Sequence, residues 1–219
     1  MRHAALYAIA GLVVVGCEAL IVSRWHANAV TATTVASVIV EPFFVAIINA
    51  FTYADSREDL SLSVTWLRVL ERSWAVLLID LLATLIVIIG LQSLFSTDLF
   101  QKLLGSAVIV VAVSLVFADV HAIAVDDAEP WWLLVPRSLG ASIATAWQGI
   151  TFTRALLLFA IGTLFRFVIT TIAQGALDAH HVPLSLVWAN AIPVMLLLPM
   201  VQALTTYVYL DAIGYEPKR

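Results

Sequence analysis

Charge is scarce in this chain. Only 12% of its 219 residues are Asp, Glu, Lys or Arg, while 62% are hydrophobic, and the mean hydropathy is +1.01. A soluble domain of this length needs far more polar surface. Cysteine is nearly absent as well. The single Cys17 excludes an internal disulfide and any cysteine cluster for zinc. With a net charge of -4 there is no basic patch of the kind nucleic acid requires. The sequence also lacks a glycine-rich phosphate loop, a nucleophile elbow and an HExxH motif. Nothing in it argues for an enzyme, and no cofactor is implied. The polar stretches are too short to bury a core of their own.

What the chain has is long apolar runs. Six candidate spans, at 4–23, 30–53, 74–95, 103–117, 156–173 and 184–210, each hold close to the ~20 apolar residues a crossing helix needs. The expected fold is an all-α, polytopic membrane bundle of six transmembrane helices, one integral membrane domain over residues 1–219. On one side of the alternation fall Arg2, Arg57, Arg68, Arg72, Arg137, Arg154, Lys218 and Arg219; on the other fall Arg24 and Lys102. The positive-inside rule then puts both termini in the cytoplasm. Val14-Val15-Gly16-Cys17 is similar to the lipobox of bacterial lipoproteins, whose cysteine is lipidated after cleavage. The apolar run nevertheless continues to Arg24-Trp25, which reads as the border of a span, with Cys17 a small buried residue.

The segments after spans two and four resemble each other. One has Tyr53-Ala54-Asp55, an acidic patch, Trp66 and then Arg72-Ser73; the other has Phe117-Ala118-Asp119, an acidic patch, Trp131 and then Arg137-Ser138. Span six closes with Tyr209-Leu210-Asp211. This points to a three-fold repeat of helix pairs. Val64, Leu67 and Glu71 fall near one helical face, and Trp132, Leu139 and Ile143 mark a similar stretch. Both segments read as amphipathic connectors lying in the membrane interface, or else as N-terminal extensions of spans three and five. Pro136 is expected to break or kink the second.

This repeated plan, with Glu129 eight residues before Arg137-Ser138 and the ending Tyr207-Val208-Tyr209-Leu210-Asp211, resembles a bacterial family. It is that of the glycerophosphodiester-phosphodiesterase membrane domain and the related YciC-like membrane proteins. The resemblance covers most of residues 53–219. It implies a six-helix membrane module without the phosphodiesterase domain, in a bacterial cytoplasmic membrane, and it transfers no binding residue.

The candidate chemistry lies in ionisable groups inside the spans: Glu18, Glu41, Asp80 and Arg166. Membranes tolerate such groups where they are paired, hydrated or in use. Glu41 and Arg166 lie near the middle of their spans. An unpaired arginine at that depth costs at least ~2.5–3.5 kcal/mol, so an ion pair is expected, with Glu18 the competing partner. The pair is either a charge in a polar cavity or a clamp holding the bundle, and the clamp is the expectation. Pro42 comes directly after Glu41, and Pro193 and Pro199 interrupt span six; broken helices beside charges are how transporters build midplane sites. Asn49 and Asn190 are expected to bond across helices. Asp178, His180 and His181 form a weak metal candidate. Asp119, His121, Asp126, Asp127 and Glu129 read as a solvated acidic loop.

Two functions are compatible with these features. The first is a non-enzymatic membrane module contacting lipid, a membrane partner or a second copy. The second is a small transporter or the membrane-embedded, substrate-binding subunit of one. The discriminating feature is a polar midplane cavity.

Overall fold

The computed structural model describes residues 4–25, 29–57, 61–125 and 130–215. Among these all regular structure is helical. Six helices are long and apolar enough to cross a membrane: Tyr7–Arg24, Thr33–Ser56, Leu62–Leu94, Leu99–Ala124, Thr151–Ala179 and Ser185–Ala212. The outer surface carries Leu85, Ile89, Leu103, Phe167, Ile172 and Leu196, all exposed. An apolar exterior this extensive is stable only against lipid. The chain is a multi-pass membrane bundle.

Three crossings are single or simply broken helices. The first is α1 (Ala4–Trp25), which runs unbroken through Cys17. The third is α4 (Leu62–Leu94), capped by Ser61, whose hydroxyl accepts from the Val64 amide. The fourth is α5 (Leu99–Ser114) and then α6 (Ala118–Ala124). The other three each contain a π turn. The second crossing is α2 (Ala29–Val35), the π turn Ala36–Val40 and α3 (Glu41–Ser56). The fifth is α8 (Thr151–Ala160), the π turn Ile161–Phe165 and α9 (Arg166–Ala179). The sixth is α10 (Ser185–Ile192), the π turn Pro193–Leu197 and α11 (Leu198–Ala212). A further helix, α7 (Trp131–Ala146), separates crossings four and five.

The connectors differ from each other. The first is no separate helix: residues from Leu62 continue α4 as an extension of span three. Trp66 holds this extension down, its ring edge-on to Phe51 at 5.2 Å, while Leu67, Leu70 and Trp74 face outward. The second connector, α7, does stand alone. It buries Leu134, Val135, Ser138 and Ser142 and exposes Trp132, Leu133 and Ile143, as an interfacial helix should. The helix passes through Pro136, which does not break it. α4 and α5 form a tight hairpin at glycine. A Cβ on Gly105 would sit 2.8 Å from the Gly90 carbonyl oxygen and 2.7 Å from the Leu94 nitrogen. Small residues permit such close backbone approach in membranes.

Between α5 and α6 the helix breaks at Leu115–Phe117, which frees backbone groups inside the bundle. Ser142 of α7 mends the break from both sides. Its hydroxyl donates to the Ser114 carbonyl at 2.7 Å and accepts from the Phe117 amide at 3.1 Å. The Trp147 indole N–H donates to the Ser114 hydroxyl at 3.0 Å. Unsatisfied backbone groups in hydrocarbon cost several kcal/mol each, on the order of ~2–7. A serine at this site therefore makes the re-aimed α6 affordable. Tyr53, Phe117 and Tyr209 meet in one apolar cluster at this end of the bundle. The acids two residues on do not match: Asp55 and Asp211 are exposed, and Asp119 is buried. Arg72 is buried too, whereas Arg137 is exposed.

Candidate functional site

The two π turns Ala36–Val40 and Ile161–Phe165 each end directly before a charged residue, Glu41 and Arg166. The third starts at Pro193, three positions after Asn190. A π turn inserts a residue into the helical ladder and re-aims the side chains beyond it, which is why such turns collect at polar sites. Here all three border one network. Arg166 grips Glu41 with both arms: Nη1 donates to Oε2 at 2.7 Å and Nη2 to Oε1 at 2.6 Å. The Ser37 hydroxyl donates to Glu41 Oε1 at 2.9 Å. Arg166 Nη2 also donates to Asn190 Oδ1 at 3.1 Å. Asn190 passes the chain on, its Nδ2 donating to Glu18 Oε1 at 2.7 Å. The Thr33 hydroxyl completes the Glu18 shell at 3.4 Å. Glu18 is fully buried and Glu41 nearly so. Glu18 thus reaches the arginine through an asparagine rather than competing for it.

Below this network lies a cavity of about 210 Å³. Its polar lining is Asp80 of α4, Asp119 of α6, Thr163 and Arg166 of the fifth crossing, and Gln202 and Thr205 of α11. Apolar side chains, among them Ile79, Phe159 and Val201, make up the rest of the wall. Asp80 and Asp119 both line this cavity, their carboxyls near enough to interact directly. The break after Ser114 is what brings Asp119 here. Asp119 and His121 are therefore not a solvated loop: both sit on α6, Asp119 is 8% exposed, and His121 Nδ1 lies 2.6 Å from the Tyr209 hydroxyl. Asp126, Asp127 and Glu129 lie outside the described residues.

Of the four intramembrane ions singled out in the sequence, the structure gathers all into this region, with Glu18 and Glu41 in the network and Asp80 on the cavity wall. Asp119 is the member that the sequence pattern misplaces. Asn49 does bond across helices, accepting from the Thr206 hydroxyl at 3.2 Å. The outer residues Asp178, His180 and His181 are not gathered into a ligand cluster. All three are exposed at the end of α9, and among the described residues no group of three or more His, Cys, Asp or Glu could hold a metal. One turn of helix running into a loop points these side chains apart into solvent rather than toward a common centre. Comparisons with protein-family models, curated proteins and solved structures found no match to the chain.

Proposed function

We propose that this chain is a small membrane transporter that binds its solute in the cavity between Asp80, Asp119 and Arg166. The observation that carries the reading is the cavity itself, a hole with charged walls at membrane depth. Ionisable residues in spans mark substrate or ion pathways by default. At about 210 Å³ the space is smaller than the ~300–1,000 Å³ of pockets for drug-sized ligands, so the solute is an ion or a small molecule. We place the protein in a bacterial cytoplasmic membrane with both termini inside. The resemblance over residues 53–219 supports the bacterial setting. Arg57, Arg68, Arg72, Arg137 and Arg154 at one end of the bundle, against Arg24 and Lys102 at the other, support the orientation; Arg2, Lys218 and Arg219 lie outside the described residues.

The rival reading is a structural module that contacts lipid, a membrane partner or a second copy, and it draws on the bidentate Glu41–Arg166 clamp. A solute screen on purified protein separates the two. A transporter is stabilised against heat by its solute, since ligand binding to the folded state raises the melting temperature. That shift should vanish in Thr163→Leu, which fills the cavity without touching the clamp. Absence of any stabilising ion or small molecule, together with no flux into proteoliposomes, would leave the module reading standing.

A further inference from the structure

We propose that Asp80 and Asp119 together form a proton-binding site, holding one proton between their carboxyls and releasing it when a cationic solute enters the cavity. This names the coupling ion of the transport reading and rests on it for the exchange step; the proton itself stands on its own geometry.

Three observations converge. First, the two carboxyls line the same cavity, near enough to interact directly. Two carboxylates offer acceptors only, so they repel unless one of them carries a proton. Second, Oδ1 of Asp119 is sealed from solvent, and among the described residues no N–H or O–H reaches it. A buried carboxylate oxygen in that position is costly unless a donor faces it. A proton on the pair places a donor at this site. Third, without a proton the site carries too much charge of one sign. The network and cavity bring Glu18, Glu41, Asp80 and Asp119 together with Arg166, four carboxyls and one guanidinium, a net of minus three if all were ionised. Glu41 already takes up the arginine's charge. Like charges this close in a low-dielectric interior do not all ionise.

The surroundings suit exchange. Toward the pair, α3 brings Glu41 and the fifth crossing brings Arg166 and the neutral Thr163. α11 brings the neutral Gln202 and Thr205, and its Tyr209 is engaged by His121 of α6. With one proton bound the pair carries a single negative charge, and without it two. A monovalent cation in the cavity offsets the extra charge when the proton leaves. The wall offers it carboxylate, hydroxyl and amide oxygens, which suit hard cations.

The test is infrared spectroscopy of the reconstituted full chain. A protonated carboxyl has a C=O band distinct from carboxylate and amide bands, and the band shifts in heavy water. At neutral pH the wild type should show it. Carboxyl-13C labelling of aspartate should move it, which needs no mutant to fold. The band should be lost in Asp80→Asn and in Asp119→Asn and retained in Glu18→Gln. Addition of sodium, potassium or a small amine should diminish it with release of about one proton per chain, read by a pH dye. No band in the wild type, or a band that ignores aspartate labelling, overturns the site. A band that no added cation diminishes overturns the exchange. A band with no flux in vesicles defeats the transport reading while leaving the proton in place, and flux without the band does the reverse.

Discussion

A guanidinium with two bonds to one carboxylate is worth more inside a bundle than an ordinary polar contact. Interhelical hydrogen bonds in membranes average only about 0.6 kcal/mol. Breaking a buried ion pair from one side costs about 3–5 kcal/mol, because the partner is left charged and unpaired. Glu41→Gln or Arg166→Gln should therefore destabilise the protein by roughly the larger figure, and the double variant should recover most of the loss. Thermal unfolding in detergent checks this; single losses near 0.6 kcal/mol would show the pair to be an ordinary contact. Arg166→Lys should not rescue, since an ammonium cannot fork across both oxygens. The partnership was legible in the sequence, because Glu41 and Arg166 lie at matching depths in their spans and an unpaired arginine there is costly. The role of Asp119 was not. It comes after an aromatic and before an acid-rich run, the pattern of a span ending in water. Only the Ser142 bridge across the Leu115–Phe117 break turns it inward, and a contact between residues 114 and 142 has no signature in local periodicity.

The elements themselves show the same division. Six apolar runs announce six crossings, but hydropathy does not register a π turn. The turns at Ala36–Val40 and Pro193–Leu197 sit beside Pro42 and Pro193, so the sequence flags them as irregular. The turn at Ile161–Phe165 has no proline and was invisible. Likewise the apolar face of residues 62–73 fits an interfacial helix and the first turns of α4 equally well, and only packing on Phe51 decides. The silent π turn is the more consequential, because Arg166 follows it directly. Deleting Leu164, whose side chain is exposed, should return the ladder to α geometry. A π turn winds more widely and takes up one extra residue, so the deletion removes the bulge and leaves Arg166 facing Glu41. The expected result is that Glu41→Gln costs as much in the deletion background as in the wild type. A cost that disappears would mean that the bulge itself holds the pair together.

Across the whole molecule these parts line up as a polar column. Glu18 lies six residues from Arg24 at one end of its span, about 9 Å at 1.5 Å per residue. Asp119 lies five residues from Ala124 at the opposite end of its own, about 8 Å by the same rise. Of a hydrocarbon core about 30 Å thick, the polar groups thus leave only thin apolar seals. Tyr53, Phe117 and Tyr209 make the seal beside Asp119. A column of this kind is hydrated if it transports and dry if it only clamps, and two neighbouring residues report which. Thr163 lines the cavity, and Leu164, next along the chain, is 61% exposed on the lipid side. In a Cys17→Ser background, Thr163→Cys and Leu164→Cys differ in position by one residue and in surroundings completely. Charged thiosulfonates react with ionised thiolate, which water supports and lipid does not. Thr163→Cys should be modified by such a reagent at least ten times faster than Leu164→Cys, and a cationic solute that occupies the cavity should slow it. Equal, slow labelling at both positions would describe a dry cavity and a bundle held shut by its charges, with no path for a solute through it.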